Sequence, residues 1–432
     1  MIIQGKKILY NNGMEFEASE TALPQPRIIP RPEHSLSRKN ISLEALKVLY
    51  RLHHAGYTAY LVGGSVRDLL LGKRPKDFDL ATDARPGEIR KLFRNSRIIG
   101  RRFRLVQVFF RGGKIIEVST FRCRSEFDAG PEETLARNNT FGTPAEDAQR
   151  RDLTINGLFY NIADFSLVDY VGGLKDLQEG YIRVIGDPAV RFVRDPVRML
   201  RVLRHAARTG FRIDPAAWEE IQAKKDLIRM CPPARLRDEL LRDFKSGACR
   251  PFMELMLDSG LFFAIFPAWR DRLGPAGRAE LLDHLERLDR IYGAELPFSE
   301  NLLWALFLTP YLHQQPLPHT LPELREAVTA HMRQALGTIE FPRQRQEETA
   351  QIVALAEVLR SFGEGQKATP GRLTRLAAYR EAWLLNRLCA VPLEEILPLL
   401  SEVELSPPLP PTRRRRPRRR RPRGAPHRPV KI

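Results

Sequence analysis

The sequence predicts an α+β chain in which a small mixed β-sheet is followed by an all-α region and a disordered basic tail. Three observations lead to this prediction. Residues 59–121 contain short apolar runs separated by glycines, which is typical of strands joined by tight turns. Apolar residues recur at helical spacing from about residue 214 to residue 404. Residues 412–432 contain ten arginines and one lysine but no acid, so they cannot form a core.

We expect these patterns to divide the chain into five regions. The first boundary follows the prolines near the N-terminus, and the last precedes the arginine run. The regions are a flexible N-terminal arm (1–40), a sheet-containing head (41–165), a neck (166–230), a helical body (231–405) and the tail (406–432).

Charge and hydropathy narrow the class of protein. The net charge is +18, and 11 of these charges lie in residues 412–432, which predicts attraction to a polyanion such as nucleic acid. The four cysteines form no CxxC pair, so the sequence indicates neither a zinc site nor a disulfide framework. We find no apolar stretch of about eighteen residues and no signal peptide, and we therefore expect a cytoplasmic protein without a membrane span.

A glycine pair follows the first predicted strand of the head. Gly63 and Gly64 stand between an apolar run and a short helical pattern, which predicts a strand, a tight turn and a helix. Glycine lets a phosphate approach the backbone closely, and a helix start offers unpaired N–H groups. Ser65 can add a hydroxyl and Arg67 a cation, so the turn is a candidate phosphate cradle.

Two aspartates follow this turn at a spacing that suits a metal ion. Asp77 and Asp79 are two residues apart, so on a strand they project from one face, where they repel each other unless a cation lies between them. Mg²⁺ that carries a triphosphate fits, because it takes only one or two carboxylates. Glu117 interrupts a later apolar strand. It is either a third carboxylate, if the two strands are neighbours, or an ordinary residue of an edge strand.

Two further segments combine arginine with aspartate. Residues 146–158 open a helix whose Arg-Arg-Asp sequence suits a polar end that faces a nucleotide. A second helix begins near Pro196, with Asp195 as its predicted cap. Its arginines fall at three-residue steps and share one face, where they could contact a base edge and a triphosphate; they are Arg198, Arg201 and Arg204.

From about residue 59 to residue 239 these motifs, in this order, resemble the class II branch of the nucleotidyltransferase superfamily, whose head is built like that of DNA polymerase β. This branch contains bacterial poly(A) polymerases and CCA-adding tRNA nucleotidyltransferases. The resemblance implies that Asp77 and Asp79 hold two Mg²⁺ ions. It also implies a catalytic role for Asp152 near the ribose and nucleotide contacts by Gly64, Arg67, Arg151 and the base-selecting residues Asp195, Arg198, Arg201 and Arg204.

Smaller features favour poly(A) addition within this family. Residues 76–79 and 101–105 resemble the poly(A) polymerase version, and an arginine tail suits an enzyme that extends many unrelated RNAs. Arg194 stands where the family usually has Glu, which weakly favours an enzyme for one nucleotide. We therefore expect addition of AMP from ATP to RNA 3′ ends, on mRNA or tRNA, with the tail 412–432 as a tether. The alternatives are a CCA- or A-adding tRNA enzyme and a non-catalytic RNA-binding protein.

Overall fold

A computed structural model describes residues 7–9, 15–17, 25–100, 104–123, 141–292, 298–361 and 373–391. The chain divides into two compact units, residues 1–389 and residues 390–432. The fold below is that of the first unit, since only the first two residues of the second are described. The predicted disorder and tether role of residues 412–432 therefore lie outside the described residues.

The described strands form three sheets. A two-stranded sheet joins β1 to β2, another joins β11 to β12, and the other eight strands form the main sheet. The strands are β1 Lys7–Leu9, β2 Glu15–Glu17, β3 Arg27–Ile29, β4 Ala59–Val62, β5 Asp79–Thr82, β6 Ser96–Ile99, β7 Leu105–Phe109, β8 Ile115–Thr120, β9 Leu158–Asn161, β10 Leu167–Asp169, β11 Tyr181–Ile182 and β12 Arg212–Ile213.

The main sheet has the order β3-β10-β9-β4-β5-β8-β7-β6, and within it only β5 and β8 run parallel. The sheet is thus mixed, as predicted. Its outer strands differ from the predicted regions. Arg27–Ile29 pairs with β10 as an edge strand, so the end of the predicted arm belongs to the sheet. Leu167–Asp169 also pairs within this sheet, which therefore extends past the predicted head boundary at residue 165.

The helices follow the main apolar patterns of the sequence. Those of the sheet region are α1 Leu43–His54, α2 Gly64–Leu70, α3 Pro86–Leu92, α4 Pro144–Arg150 and α5 Gly173–Glu179. Those that follow are α6 Pro188–Arg194, α7 Val197–Thr209, α8 Pro215–Lys224, α9 Pro233–Phe244, α10 Cys249–Asp258, α11 Leu261–Ile265, α12 Pro275–Tyr292, α13 Glu300–Leu312, α14 Leu321–Leu336, α15 Arg343–Ser361 and α16 Tyr379–Ala390.

Each face of the main sheet has its own cover. Helices α1 and α3 contact β5 to β8 from one side, where Leu80, Val106 and Val118 pair side by side and are fully buried. The opposite side is filled at β4, β5, β9 and β10 by a cluster that includes Ala148 of α4 and Phe159 of β9. Burial of this apolar surface at about 25 cal/mol per Å² is what holds the strands in register.

The helical region packs around aromatic side chains. Trp269 and Phe307 are fully buried with their ring centroids 5.2 Å apart, and the Trp269 indole N–H donates to the Ala335 carbonyl at 3.0 Å. The apolar run that precedes this cluster forms two helices, α10 and α11, because Gly260 adopts a left-handed φ of 74° between them. No helix in the described part of the chain is both long enough and apolar enough to span a bilayer.

A charged cluster joins three of these helices. His313, the C-cap residue of α13, lies 2.7 Å from Glu280 of α12 through Nδ1 and 3.4 Å from Glu357 of α15 through Nε2. Its hydrogen bonds to Glu280 and then Glu357 raise the pKa of His313 to about 9, although burial and the nearby Arg360 oppose the shift. His284 of α12 is a second imidazole on the same glutamate, at 3.9 Å.

Candidate active site

The glycine turn lies where the sequence predicts it, between β4 and α2. Gly63 has φ 73° and ψ −138°, a conformation that side chains disfavour, and a Cβ there would lie 3.2 Å from Nη1 of Arg151. The Ser65 hydroxyl is buried and donates to the Val62 carbonyl at 2.9 Å. Glycine is therefore required at position 63 both by the backbone conformation and by the closeness of Arg151, while Ser65 stabilises the turn.

Arg67 is turned inward rather than towards an approaching phosphate. Its side chain is buried and donates from Nε and Nη2 to Asp68, at 2.9 and 2.7 Å. Its Nη1 donates to Asn156 Oδ1 at 2.7 Å and lies 3.1 Å from Nδ1 of His205. This position differs from the phosphate contact predicted for Arg67, because Asn156 and His205, from two distant segments, occupy its guanidinium. Arg67 thereby ties α2 to the segment after α4 and to α7.

The acidic residues meet at the start of β5. Asp79 is the first residue of that strand, and Asp77 lies just before it rather than within it as expected. Parallel pairing places Glu117 of β8 directly beside Asp79, so both side chains leave the same face of the sheet. This is the arrangement in which Glu117 could act as a third carboxylate. Gln107 of β7 donates to Glu117 Oε1 at 2.9 Å and fixes its orientation.

The Asp79 carboxyl is electrostatically strained. Partial burial raises its pKa first, repulsion by Glu117 and then by Asp77 adds to the shift, and Arg151 opposes it, with a resulting pKa of about 6. Asp79 is still open to solvent on one side, so an ion can reach it. Among the described residues, no group of three or more His, Cys, Asp and Glu side chains has metal-binding geometry. Two carboxylates and substrate phosphates suffice for Mg²⁺, however, so the acids present fit that ion.

Arg151 and Asp152 follow α4, which ends at Arg150. The prediction that residues 146–158 open a helix is wrong, because the backbone becomes extended at Arg151 and β9 begins at Leu158. Arg151 donates to Asp147 at 3.0 Å, and its guanidinium lies 5.0 Å from the centroid of the Phe159 ring. Arg151 also adjoins Gly63, and its positive charge lowers the pKa of Asp79. Arg151 therefore lies where the glycine turn and the acids converge, as a cation facing a triphosphate would.

Asp152 is the anchor of two arginines. Its carboxylate lies 2.6 Å from Arg198 Nη1 and 2.5 Å from Arg201 Nη1. Burial alone would raise the pKa of Asp152, but the charges of Arg198 and then Arg201 outweigh burial and hold this pKa below its usual value. Asp152 is thus ionised at neutral pH, and it couples the segment after α4 to one face of α7.

Arg204 belongs to a different environment from the other two arginines of α7. It is buried and donates four hydrogen bonds to α9, to the carboxylate and carbonyl of Glu239 and to both oxygens of Asp243, at 2.5 to 2.9 Å. Arg201 shares Glu239 at 3.2 Å. The expected nucleotide contact of Arg204 therefore differs from its position in the structure, where it braces α7 against α9.

Asp195 precedes α7 but does not cap it. Pro196 is the N-cap residue, and the Asp195 carboxylate instead receives Arg235 of α9 through two contacts of 3.0 Å. Arg198 Nε lies 3.7 Å from it. Arg194 is exposed beside Asp195. Asp195 and Arg198 are thus adjacent and partly open, as a pair that reads a base edge requires.

Several residues that shape this site were not singled out from the sequence. They are Gln107, Asn156, His205, Arg235, Glu239 and Asp243, and each acts through a partner from a distant segment. Of these, Asn156 lies within residues 146–158 and Glu239 at the end of the segment that resembles the family, but the sequence indicated no role for either. Taken together, the site offers a tight backbone turn, an acidic pair and a row of arginines, which suits a metal-bound nucleoside triphosphate.

Two family models match the chain. Residues 59–183 match "Poly A polymerase head domain", and residues 210–273 match "Probable RNA and SrmB- binding site of polymerase A". The first match covers the glycine turn, the acids and the Arg151–Asp152 pair, and it ends one residue after β11.

Curated relatives carry two different names. The chain is 51% identical over 270 residues to Poly(A) polymerase I of Escherichia coli O6:H1, which covers 61% of this chain and 58% of that protein. It is 43% identical to Poly(A) polymerase I of Haemophilus influenzae and 32% identical to the CCA-adding enzyme of Bacillus pumilus, over 58% of this chain in both cases. The chain thus spans less than two thirds of the length of these relatives.

Solved structures share the fold. The CCA-adding enzyme of Bacillus stearothermophilus in complex with CTP superposes with a TM-score of 0.58 at 24% identity, over 83% of this chain and 81% of that one. The apo form II of a CCA-adding enzyme gives a TM-score of 0.60 at 22% identity. These likenesses confirm the predicted α+β architecture of a mixed-sheet head followed by helices.

Proposed function

We propose that the chain, whose residues 59–183 match a poly(A) polymerase head domain, is a nucleotidyltransferase that adds AMP from ATP to RNA 3′ ends without a template. The observation that carries the proposal is the pairing of Asp79 with Glu117 beside Asp77, close to the glycine turn and to Arg151. The higher identity to poly(A) polymerases than to CCA-adding enzymes supports ATP over the CTP-and-ATP alternative.

In this proposal Asp77 and Asp79, with Glu117 beside them, hold the magnesium. Bound magnesium would bring positive charge to the triphosphate and lower the pKa of the attacking 3′-hydroxyl. The raised pKa of Asp79 supports this assignment, because acids that repel one another at about this spacing are stabilised by a shared cation. The 3′ oxygen forms a bond to the α-phosphorus of ATP, and the bond to pyrophosphate breaks.

The remaining residues bind and orient the nucleotide. The turn at Gly63 and Gly64 offers backbone to the phosphates, with Arg151 as the cation beside Gly63. Asp152 holds Arg198 and Arg201 in place, which orients their guanidinium groups without a rearrangement when ATP binds.

A separate pair of contacts suits the adenine. Asp195 can accept from its exocyclic amine, while Arg198 donates to a ring nitrogen. Arg204 then acts at a distance, by fixing α7 to α9.

The test offers ATP and CTP separately to the purified chain with Mg²⁺, on a generic single-stranded RNA and on a tRNA that lacks its terminal CCA. The proposal predicts many successive AMP additions to both RNAs and little CMP addition. Addition of CMP followed by a single AMP on the tRNA alone would assign the chain to CCA addition instead. RNA binding with no incorporation of either nucleotide would favour the non-catalytic alternative.

A further inference from the structure

Within the described part of the chain, one side of β6, β7 and β8 carries no buried side chain next to the acidic residues. We propose that this open face of β6, β7 and β8 binds the single-stranded 3′ segment of the RNA and guides it to the acids. The inference rests on the proposed function, because it supplies the path by which an RNA end reaches Asp79. The open face is defined by the eight side chains that share a side of the sheet, which are Arg97, Ile99, Leu105, Gln107, Phe109, Ile115, Glu117 and Ser119.

Strand register connects this face to the acids in a single row. Asp79 pairs with Glu117, Glu117 with Gln107, and Gln107 with Arg97. The row crosses four neighbouring strands, so at about 4.8 Å per strand it spans roughly 14 Å from the acidic pair to the edge of the sheet. A ligand lying along the row would therefore have one end at the acids and would leave the protein at Arg97.

The two sides of these three strands differ in exposure. None of the eight side chains of the open face is buried, whereas on the opposite side, under α1 and α3, all but Ile98 are. Phe109 and Ile115 pair across strands on the open face and remain 37% and 45% exposed. An aromatic ring that is partly exposed on the face of a sheet can serve as a stacking platform for a base.

The charges along the face favour RNA over other partners. Arg97 is exposed at the edge and Arg111 at the β7–β8 turn, and Arg97 has no ion pair or hydrogen bond within the part of the chain that the structure describes. Lys114 of the same turn pairs with Glu44 of α1 at 3.3 Å and is not counted with this face. Arginine pairs with phosphate in a bidentate manner. The far end of the row is acidic, which suits the 3′ terminus of RNA, because that terminus is a hydroxyl and carries no phosphate. An acidic protein partner would be attracted to Arg97 at the edge of the sheet but repelled by Asp79 and Glu117 at the other end of the row.

The experiment compares Phe109→Ala and Arg97→Gln with two matched controls from the other side of the sheet. Ile98→Ala removes an apolar side chain that is 40% exposed, and Lys91→Gln removes one charge from the exposed side of α3. Affinity for a 5′-labelled oligo(A) is measured by fluorescence anisotropy at several salt concentrations, and the KM values for RNA and for ATP are measured separately.

We expect Phe109→Ala to weaken oligo(A) binding roughly fivefold or more and to raise the KM for RNA with the KM for ATP unchanged, since base stacking is lost. Phe109→Tyr should restore both values. Arg97→Gln should lower the slope of log affinity against log salt by about 0.7, the loss of one phosphate contact on a single strand. Both controls should stay within about twofold of the unaltered protein.

Unchanged oligo(A) affinity and salt slope in Phe109→Ala and Arg97→Gln, in a protein that still incorporates AMP, would overturn the inference and leave the proposed function intact. Weakening by the two control variants to the same extent would also overturn it, since the effect would then not belong to this face. If the unaltered chain extends no RNA but Phe109→Ala and Arg97→Gln still weaken oligo(A) binding, the proposed function fails and the face stands as an RNA site.

Discussion

Replacement of Arg204 by Met tests whether this arginine braces the fold or binds nucleotide. The substitution removes four hydrogen bonds to α9 and leaves the Asp243 carboxylate, which is fully buried, without a hydrogen-bond donor among the described residues. Loss of one partner of a buried ion pair costs about 3–5 kcal/mol, because the remaining charge is uncompensated. We therefore expect the free energy of unfolding to fall by about that amount, as measured by urea denaturation.

A double replacement separates the ion pair from simple loss of packing. Asp243→Leu combined with Arg204→Met removes both charges, so the unfolding free energy should recover by about 1–3 kcal/mol relative to the sum of the single changes. Arg201→Met is the functional comparison, since Arg201 reaches Asp152. At a temperature where all variants are folded, Arg201→Met should raise the KM for ATP more than Arg204→Met does. If Arg204→Met left the free energy of unfolding unaltered and raised the KM for ATP more than Arg201→Met does, the structural role of Arg204 would be refuted.

Three further changes test other parts of the molecule. Gly63→Ala should destabilise the fold by about 1–3 kcal/mol from its φ of 73° and raise the KM for ATP by displacing Arg151, whereas Gly72→Ala, with a φ of 70° and open space, should leave that KM unchanged. Asp152→Asn should lower kcat at least tenfold with RNA affinity retained, because it frees two arginines; unaltered kcat would contradict its role. In the folded protein the pKa of His313 is about 9, whereas the ordinary value is 6.5. Protonated His313 therefore contributes its full stabilisation below pH 6.5, and this stabilisation is lost as the pH rises through 9. Chemical denaturation should show a loss of roughly 1–3 kcal/mol over that interval, absent in His313→Gln.

Local signals in the sequence predicted the elements well. The leucine spacing predicts a helix over Leu43–His54, and the structure has the same bounds. The Ser42 side chain, which accepts from Ala45 N–H, caps it. The buried face of that helix is shifted, however. Leu43 is 70% exposed, and Ala45 and Val48 are buried instead. Spacing fixes the period of a helix, whereas the neighbouring sheet decides which side turns inward.

The pairing of distant segments could not be predicted in the same way. The sequence leaves Glu117 as either a third carboxylate or an edge residue, because only the parallel pairing of β5 with β8 places it beside Asp79. Arg198, Arg201 and Arg204 look equivalent along one helical face. Their different partners on α9 and after α4 assign two of them to the candidate nucleotide pocket and one to the fold.

The central claim is that the acidic pair at the start of β5 carries out AMP transfer. Asp77→Asn together with Asp79→Asn keeps the size of both side chains but removes two charges, and Asp271→Asn, at an exposed position of the helical region, serves as the control. Labelled ATP, Mg²⁺ and an oligo(A) primer report incorporation, and anisotropy reports RNA binding in the same samples. We predict that the double variant incorporates no AMP while its RNA affinity and the activity of the control are preserved. Incorporation at the rate of the unaltered chain would contradict the account.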